Sequence, residues 1–130
     1  MTGMSVRSRK VWIQGWLQVA TKNNPTCEVH WGWHVAPTLR VRSGWLFLVT
    51  RTYVVDPALF TQAVTQSTWQ SVQNDPSSTL TGTSKDVFWL WSGGTDVDNS
   101  QTEGVLAQYR AALHARAIGP SGPPPYAACG

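Results

Sequence analysis

Cys27-Glu28-Val29-His30-Trp31-Gly32-Trp33-His34-Val35 alternates with a period of two. Cys27, Val29, Trp31, Trp33 and Val35 fall on one side; Glu28, His30, Gly32 and His34 fall on the other. A pleated strand has this repeat and a helix does not. The segment before it behaves alike, with Val11, Ile13, Leu17 and Val19 against Trp12, Gln14, Trp16 and Gln18. Lys22-Asn23-Asn24-Pro25 between them has turn chemistry, so the two runs are expected to form a β-hairpin.

Working outward, Pro37 is expected to end the second strand. Leu39 and Val41 then alternate with Arg40 and Arg42, Ser43-Gly44 marks a bend, and Trp45 to Val55 predicts a long strand. Its first half is apolar on both faces, which suits the middle of a sheet. Asp56-Pro57 is an N-cap acid followed by proline, predicting a helix over 57–73 that Asn74-Asp75-Pro76 stops. Residues 77–84 form a loop or short edge strand, and Val87 to Trp91 a fifth strand. Ser100 and Glu103 have capping-box spacing, and Leu106, Tyr109, Leu113 and Ala117 recur at helical intervals up to Gly119-Pro120.

These elements predict an α+β fold, a largely antiparallel sheet of four to five strands with two short helices. The expected organisation is a mobile basic arm over 1–10, a single domain over 11–118 and an extended Pro/Gly-rich tail over 119–130. At 130 residues the chain can bury one core. The longest purely apolar run, Trp45-Leu46-Phe47-Leu48-Val49, falls far short of the roughly 20 residues of a helical membrane span, so no membrane association is expected.

Charged residues are only 13% of the chain, about half the usual share. A surface so lightly charged repels its own copies weakly, which favours a homo-oligomer. Eight tryptophans exceed what one small core needs, and two or three are expected at a surface or interface. Residues 1–55 carry a net +6 and residues 56–130 a net −3. Such polarity attracts an anionic partner, RNA first, or the opposite end of another copy.

Arg40 and Arg42, two apart, project from one face of their strand. Neighbouring strands bring His30, His34 and Arg51 toward them, with Trp12 and Trp16 alongside. Cations for phosphates and rings for bases form a candidate nucleic-acid surface. Low charge, surplus tryptophan and this face point to a self-assembling structural protein. The length, basic front sheet and C-terminal helix resemble the coat proteins of small RNA bacteriophages, although a helix at 57–73 departs from that family's order. The resemblance implies a virion; otherwise the cytoplasm is expected. Two alternatives are a tryptophan-rich carbohydrate- or protein-binding module, and a small enzyme or a subunit of an organellar complex.

His30 and His34 lie about 13 Å apart along a strand, too far to share one metal ion. Asp96-Val97-Asp98-Asn99-Ser100 begins like a calcium loop, but Gln101 stands at the glycine position and Ala107 at that of the final acid. Acids gathered at a helix start explain it better, so no metal or cofactor is expected. No nucleophile elbow, phosphate loop or Cys-x-x-Cys occurs. A catalytic set could be assembled from His30, His34 or His114 with some Ser and Asp, and no spacing selects one. Cys27 and Cys129 are expected to be unlinked thiols. Pro123-Pro124-Pro125-Tyr126 resembles the Pro-Pro-x-Tyr ligand of WW domains, making a WW-type partner a candidate for the tail.

Overall fold

Two long strands dominate a computed structural model that describes residues 5–21, 24–47 and 49–118. Strand β1 (Ser5–Thr21) pairs antiparallel with β2 (Asn24–Ser43), as the alternation predicts. The remaining elements are β3 (Val49–Val54), β4 (Val64–Thr65), α1 (Gln66–Ser71), β5 (Thr79–Ser84), β6 (Val87–Trp89), β7 (Gly94–Thr95) and α2 (Ser100–Ile118). The main sheet has five strands in the order β4-β3-β2-β1-β5, with each neighbouring pair antiparallel. The fold is therefore the sheet-rich α+β architecture expected, with helices of 6 and 19 residues.

Several local expectations need correction. Strand β1 begins at Ser5, so residues 5–10 belong to the sheet. Strand β2 runs through Pro37, which stands opposite Lys10 of β1. The Pro37 carbonyl accepts from Val55 N–H at 3.0 Å, so the N–H that proline lacks would also point to the β3 side, where β3 ends. Trp45–Phe47 forms a 3-10 turn after Gly44, whose φ of +88° only glycine adopts without strain, so the long strand starting at Trp45 shortens to β3. The expected helix over 57–73 resolves into a turn at residues 57–59, β4, and the short α1. Thr65, not Asp56, caps α1 by accepting from Thr68 N–H at 3.3 Å.

The core lies on one face of the sheet and gathers Val11, Ile13, Leu17, Ala36, Val54 and Trp69. Trp31, Leu59, Phe60, Val64 and Leu80 pack around it. Trp69 reaches it from α1 and is fully enclosed. Burying side chains of this size, at roughly 1.5–3 kcal/mol each, is what holds a six-residue helix with weak intrinsic propensity.

The β1–β2 register slips once, between Gln14/Trp33 and Leu17/Trp31, so β1 carries an extra residue at Gly15-Trp16. Asp75 holds this bulge by accepting from Trp16 N–H at 2.8 Å. Just beyond, Gln18 N–H donates to the Gln73 carbonyl at 3.0 Å, and Asn74 Nδ2 donates to the Gln18 carbonyl at 2.7 Å. The segment after α1 thus covers the edge of β1 that β5 leaves unpaired. A Cβ at Gly15 would fall onto the Asp75 carboxylate and displace it from the bulge that it holds.

Residues 86–130 form a second compact unit. Strands β6 and β7 pair as a small ribbon. Asp96 caps α2: its carboxylate accepts from Gln101 N–H and Thr102 N–H, both at 2.8 Å, and from the Thr102 hydroxyl at 2.6 Å. The acids before α2 are thus structural, as the failed calcium-loop spacing suggests, although Asp96 replaces Ser100 as the cap. Leu106 and Tyr109 are exposed rather than packed. Among the eight tryptophans five are exposed, Trp16, Trp33, Trp45, Trp89 and Trp91, more than expected.

Gly15→Ala is expected to lower unfolding free energy by about 1–3 kcal/mol through overpacking, read from urea denaturation. In the Gly15→Ala/Asp75→Ala double variant the two penalties should sum to less than their separate values, because removing the carboxylate frees the space.

Candidate active site

His34 occupies a place in β2 that simple alternation misassigns. The slip at Gly15-Trp16 lies opposite Gly32, and it changes which side of the sheet the neighbouring β2 residues take. Trp33 meets Trp12 with ring centroids 5.7 Å apart, whereas His34 turns toward the core side with Trp31. Trp31 and His34 then lie parallel, with centroids 4.4 Å apart and planes within 5°. The expectation that Trp31 and Trp33 share one face with His34 on the other is corrected accordingly.

Asp56 comes to His34 from the chain leaving β3. With Thr38 opposite Val54 and Val55 N–H bonded to Pro37, the hairpin returns Asp56 beside β2. Its Oδ2 lies 2.7 Å from His34 Nε2 and 2.7 Å from Trp69 Nε1. Oδ1 accepts from Ala58 N–H at 3.1 Å, and the Asp56 carbonyl accepts from Leu59 and Phe60. Asp56 therefore opens an Asx turn, the same local chemistry that makes Asp-Pro resemble a helix start.

Asp56 is 5% exposed. Burial pushes its carboxyl upward, but the hydrogen bonds from His34 and Trp69, the His34 charge and the Ala58 N–H together hold it below 3.8. The carboxylate is thus ionised at neutral pH and acts only as acceptor. Nε2 of a neutral His34 then carries the proton, leaving Nδ1 with its lone pair. Among the described residues nothing hydrogen-bonds to Nδ1. A buried carboxylate, an imidazole fixed in one tautomer and an unengaged ring nitrogen make a general acid–base unit.

Beside it, Trp16, Leu17, Gln18, His30, Trp31 and Gly32 line an apolar cleft of about 240 Å³. Trp16 is 89% exposed at its rim. The Trp31 indole N–H is buried without a partner among the described residues.

The residues expected to bind nucleic acid do not form one surface. Arg40 and Arg42 meet Arg7 and Thr50 around a depression. Arg51 stands opposite Val41 and so faces the other side of the sheet. His34 is engaged by Asp56, and Trp12 is buried with its N–H donating to Thr83 Oγ1 at 2.9 Å. His30 is exposed opposite Gln18, and Trp16 is at the bulge. His114 lies on α2. Pro123, Pro124 and Tyr126 lie outside the described residues, as does Cys129; Cys27 is placed in β2 by its backbone. Asp56 and Trp69 were missed as functional residues. The available signal was the hairpin itself: a turn centred near residue 46 places residue 56 opposite residue 36, one pleat from His34.

Trp69→Phe removes a donor to a buried carboxylate and part of a fully enclosed indole, and should cost about 3 kcal/mol or more in denaturant unfolding. Trp31→Phe removes a donor that has no acceptor, so the same measurement should show little loss or a small gain. Because folding lowers the Asp56 pKa, its contribution is fully present above pH 3.8 and disappears as pH falls through the lower folded value. Acid titration of stability should therefore steepen below about pH 4 in the native protein and flatten in Asp56→Asn.

A family model described as glutaminase matches residues 1–73, the stretch that contains His34, Asp56 and Trp69. The fold is similar to the NMR structure of protein-glutaminase from Chryseobacterium proteolyticum, with 25% identity and a TM-score of 0.65, over 95% of this chain and 68% of that one. A crystal structure of protein-glutaminase gives 24% identity and a TM-score of 0.65 over 94% of this chain and 67% of that one. A crystal structure of pro-protein-glutaminase gives 23% and 0.66; this chain spans 94% of its own length but only 44% of that chain. Curated proteins give no significant match. These findings overturn the expectation of a capsid or virion subunit and favour the small-enzyme alternative. With more than half its length matched by the family model, the chain belongs to the glutaminase family.

Proposed function

We propose that this protein hydrolyses the side-chain amide of glutamine carried on a polypeptide, yielding glutamate and ammonia. The observation that carries the reading is the 2.7 Å contact between His34 Nε2 and the enclosed Asp56 carboxylate, inside the segment matched by the family model. Amide hydrolysis needs a base to activate the attacking group and an acid to protonate the departing nitrogen. One imidazole can do both in turn. Nδ1 of His34 takes the proton as the attacking atom bonds to the γ-carbonyl carbon. It returns that proton to nitrogen as the C–N bond breaks. Asp56 stabilises the imidazolium between these steps without itself taking the proton. One water is consumed for each ammonia released.

The attacking atom does not come from Cys27. Its backbone lies seven residues along β2 from His34, about 23 Å at strand rise, well beyond the reach of a thiol. The apolar cleft lined by Trp31 suits the methylene stem of a glutamine, and His34 stacks on that same indole.

Ammonia release from a glutamine-containing peptide tests the proposal. His34→Gln and Asp56→Asn are each expected to lower kcat by about 100-fold or more, while His114→Gln on α2 stays within about twofold. Equal activity in the native protein and His34→Gln would rule the mechanism out. Activity retained after complete alkylation of the thiols would identify water as the attacking species.

A further inference from the structure

Residues 34, 36, 38, 40 and 42 of β2 share one face, because no register slip occurs in this stretch. At one end of that face His34 meets Asp56; in its middle Ala36 and Thr38 are buried under the core. At the other end Arg40 and Arg42 are exposed. Arg7 of β1 stands directly opposite Arg40, and Thr50 of β3 directly opposite Arg42. These four side chains line a depression of about 280 Å³.

Three guanidinium groups in one depression repel each other unless an anion joins them. Among the described residues no carboxylate pairs with Arg7, Arg40 or Arg42. The sole acid in residues 1–55 is Glu28, which stands opposite Ala20 at the far end of the hairpin. Arginine presents a planar fork of donors that fits carboxylates two bonds at a time. Single-stranded RNA would want rings for its bases, and none lines the depression. The face is shared with the reactive imidazole instead, at six residues' distance along one strand, about 20 Å.

We propose that Arg7, Arg40 and Arg42 form a docking site for an acidic segment of the polypeptide substrate, at least about six extended residues from the glutamine that reacts at His34, because the peptide must pass around the core covering Ala36 and Thr38. The inference rests on the proposed amide hydrolysis for where the glutamine sits, and on the arginine geometry for the rest. Its consequence is selectivity: glutamines flanked at that spacing by Glu or Asp are preferred.

Two peptides with one central glutamine test this, one neutral and one with three glutamates beginning six residues away on either side. At low salt the acidic peptide should have a KM about tenfold lower, and the difference should vanish near about 0.5 M salt. In the Arg7→Gln/Arg40→Gln/Arg42→Gln variant the ratio of the two KM values should fall to about one, whereas Arg51→Gln, on the opposite face, should preserve it. Fluorescence anisotropy of the acidic peptide with alanine in place of glutamine measures docking without turnover. Salt-sensitive binding lost in the triple variant supports the docking site even if no peptide is hydrolysed, an outcome that would sink only the amide-hydrolysis reading. Equal KM values with no measurable binding of the alanine peptide would overturn it. So would an RNA oligonucleotide displacing that peptide at lower concentration than the unlabelled acidic peptide does.

Discussion

A buried carboxylate at Asp56 organises the sheet-bearing unit. Isolated in an apolar core, such a charge would be prohibitive; it persists because three separate parts of the chain supply donors to it. His34 donates from β2, Trp69 from α1, and Ala58 from the turn that Asp56 itself begins. None of these donors is near the others in sequence. The chain must return from β3, cross the sheet face and place α1 before the carboxylate is satisfied. The same arrangement sets the tautomer of His34, so what stabilises the core also leaves Nδ1 of the imidazole with its lone pair. Structure and chemistry converge on one pair of oxygens.

Much of this architecture is legible in the residues. The alternation in 11–19 and 27–35 specifies the hairpin, and turn chemistry at 22–25 connects it. The bulge is not legible, because an extra residue in one strand leaves the partner's alternation intact on paper. Gly15 could signal it, but only with Asp75 in view, 60 residues later. That slip turns His34 toward the core side, so period-two counting places it on the wrong face. Asp56-Pro57 shows the complementary ambiguity. An aspartate that accepts from the N–H two residues on looks alike at an Asx turn and at a helix N-terminus. Only the depth at which it is buried separates the two.

The coat-subunit expectation failed for an instructive reason. Low charge, abundant tryptophan and a basic first half are bulk properties, and they describe a surface rather than a reaction. The tryptophans divide by role once placed: Trp69 holds the Asp56 carboxylate, Trp31 backs the imidazole, and Trp12 fills the other side of the sheet. The arginines divide as well, with Arg51 facing away from Arg40 and Arg42 because adjacent strand positions alternate. A paired histidine and aspartate contribute two residues to a composition of 130 and leave no trace in the totals.

Pro37 acts as a stop on the sheet. The Val55–Pro37 bond stands unreciprocated at the end of the β2–β3 ladder, since Pro37 has no N–H to return and Pro57, next in register, has none to give Val35. With nothing to hold it in the plane, the chain leaves the ladder at the next residue, and that residue is Asp56. Hydrogens absent from two prolines, one on each strand, weaken the ladder where it lets go, and the carboxylate released at that point is the one His34 receives.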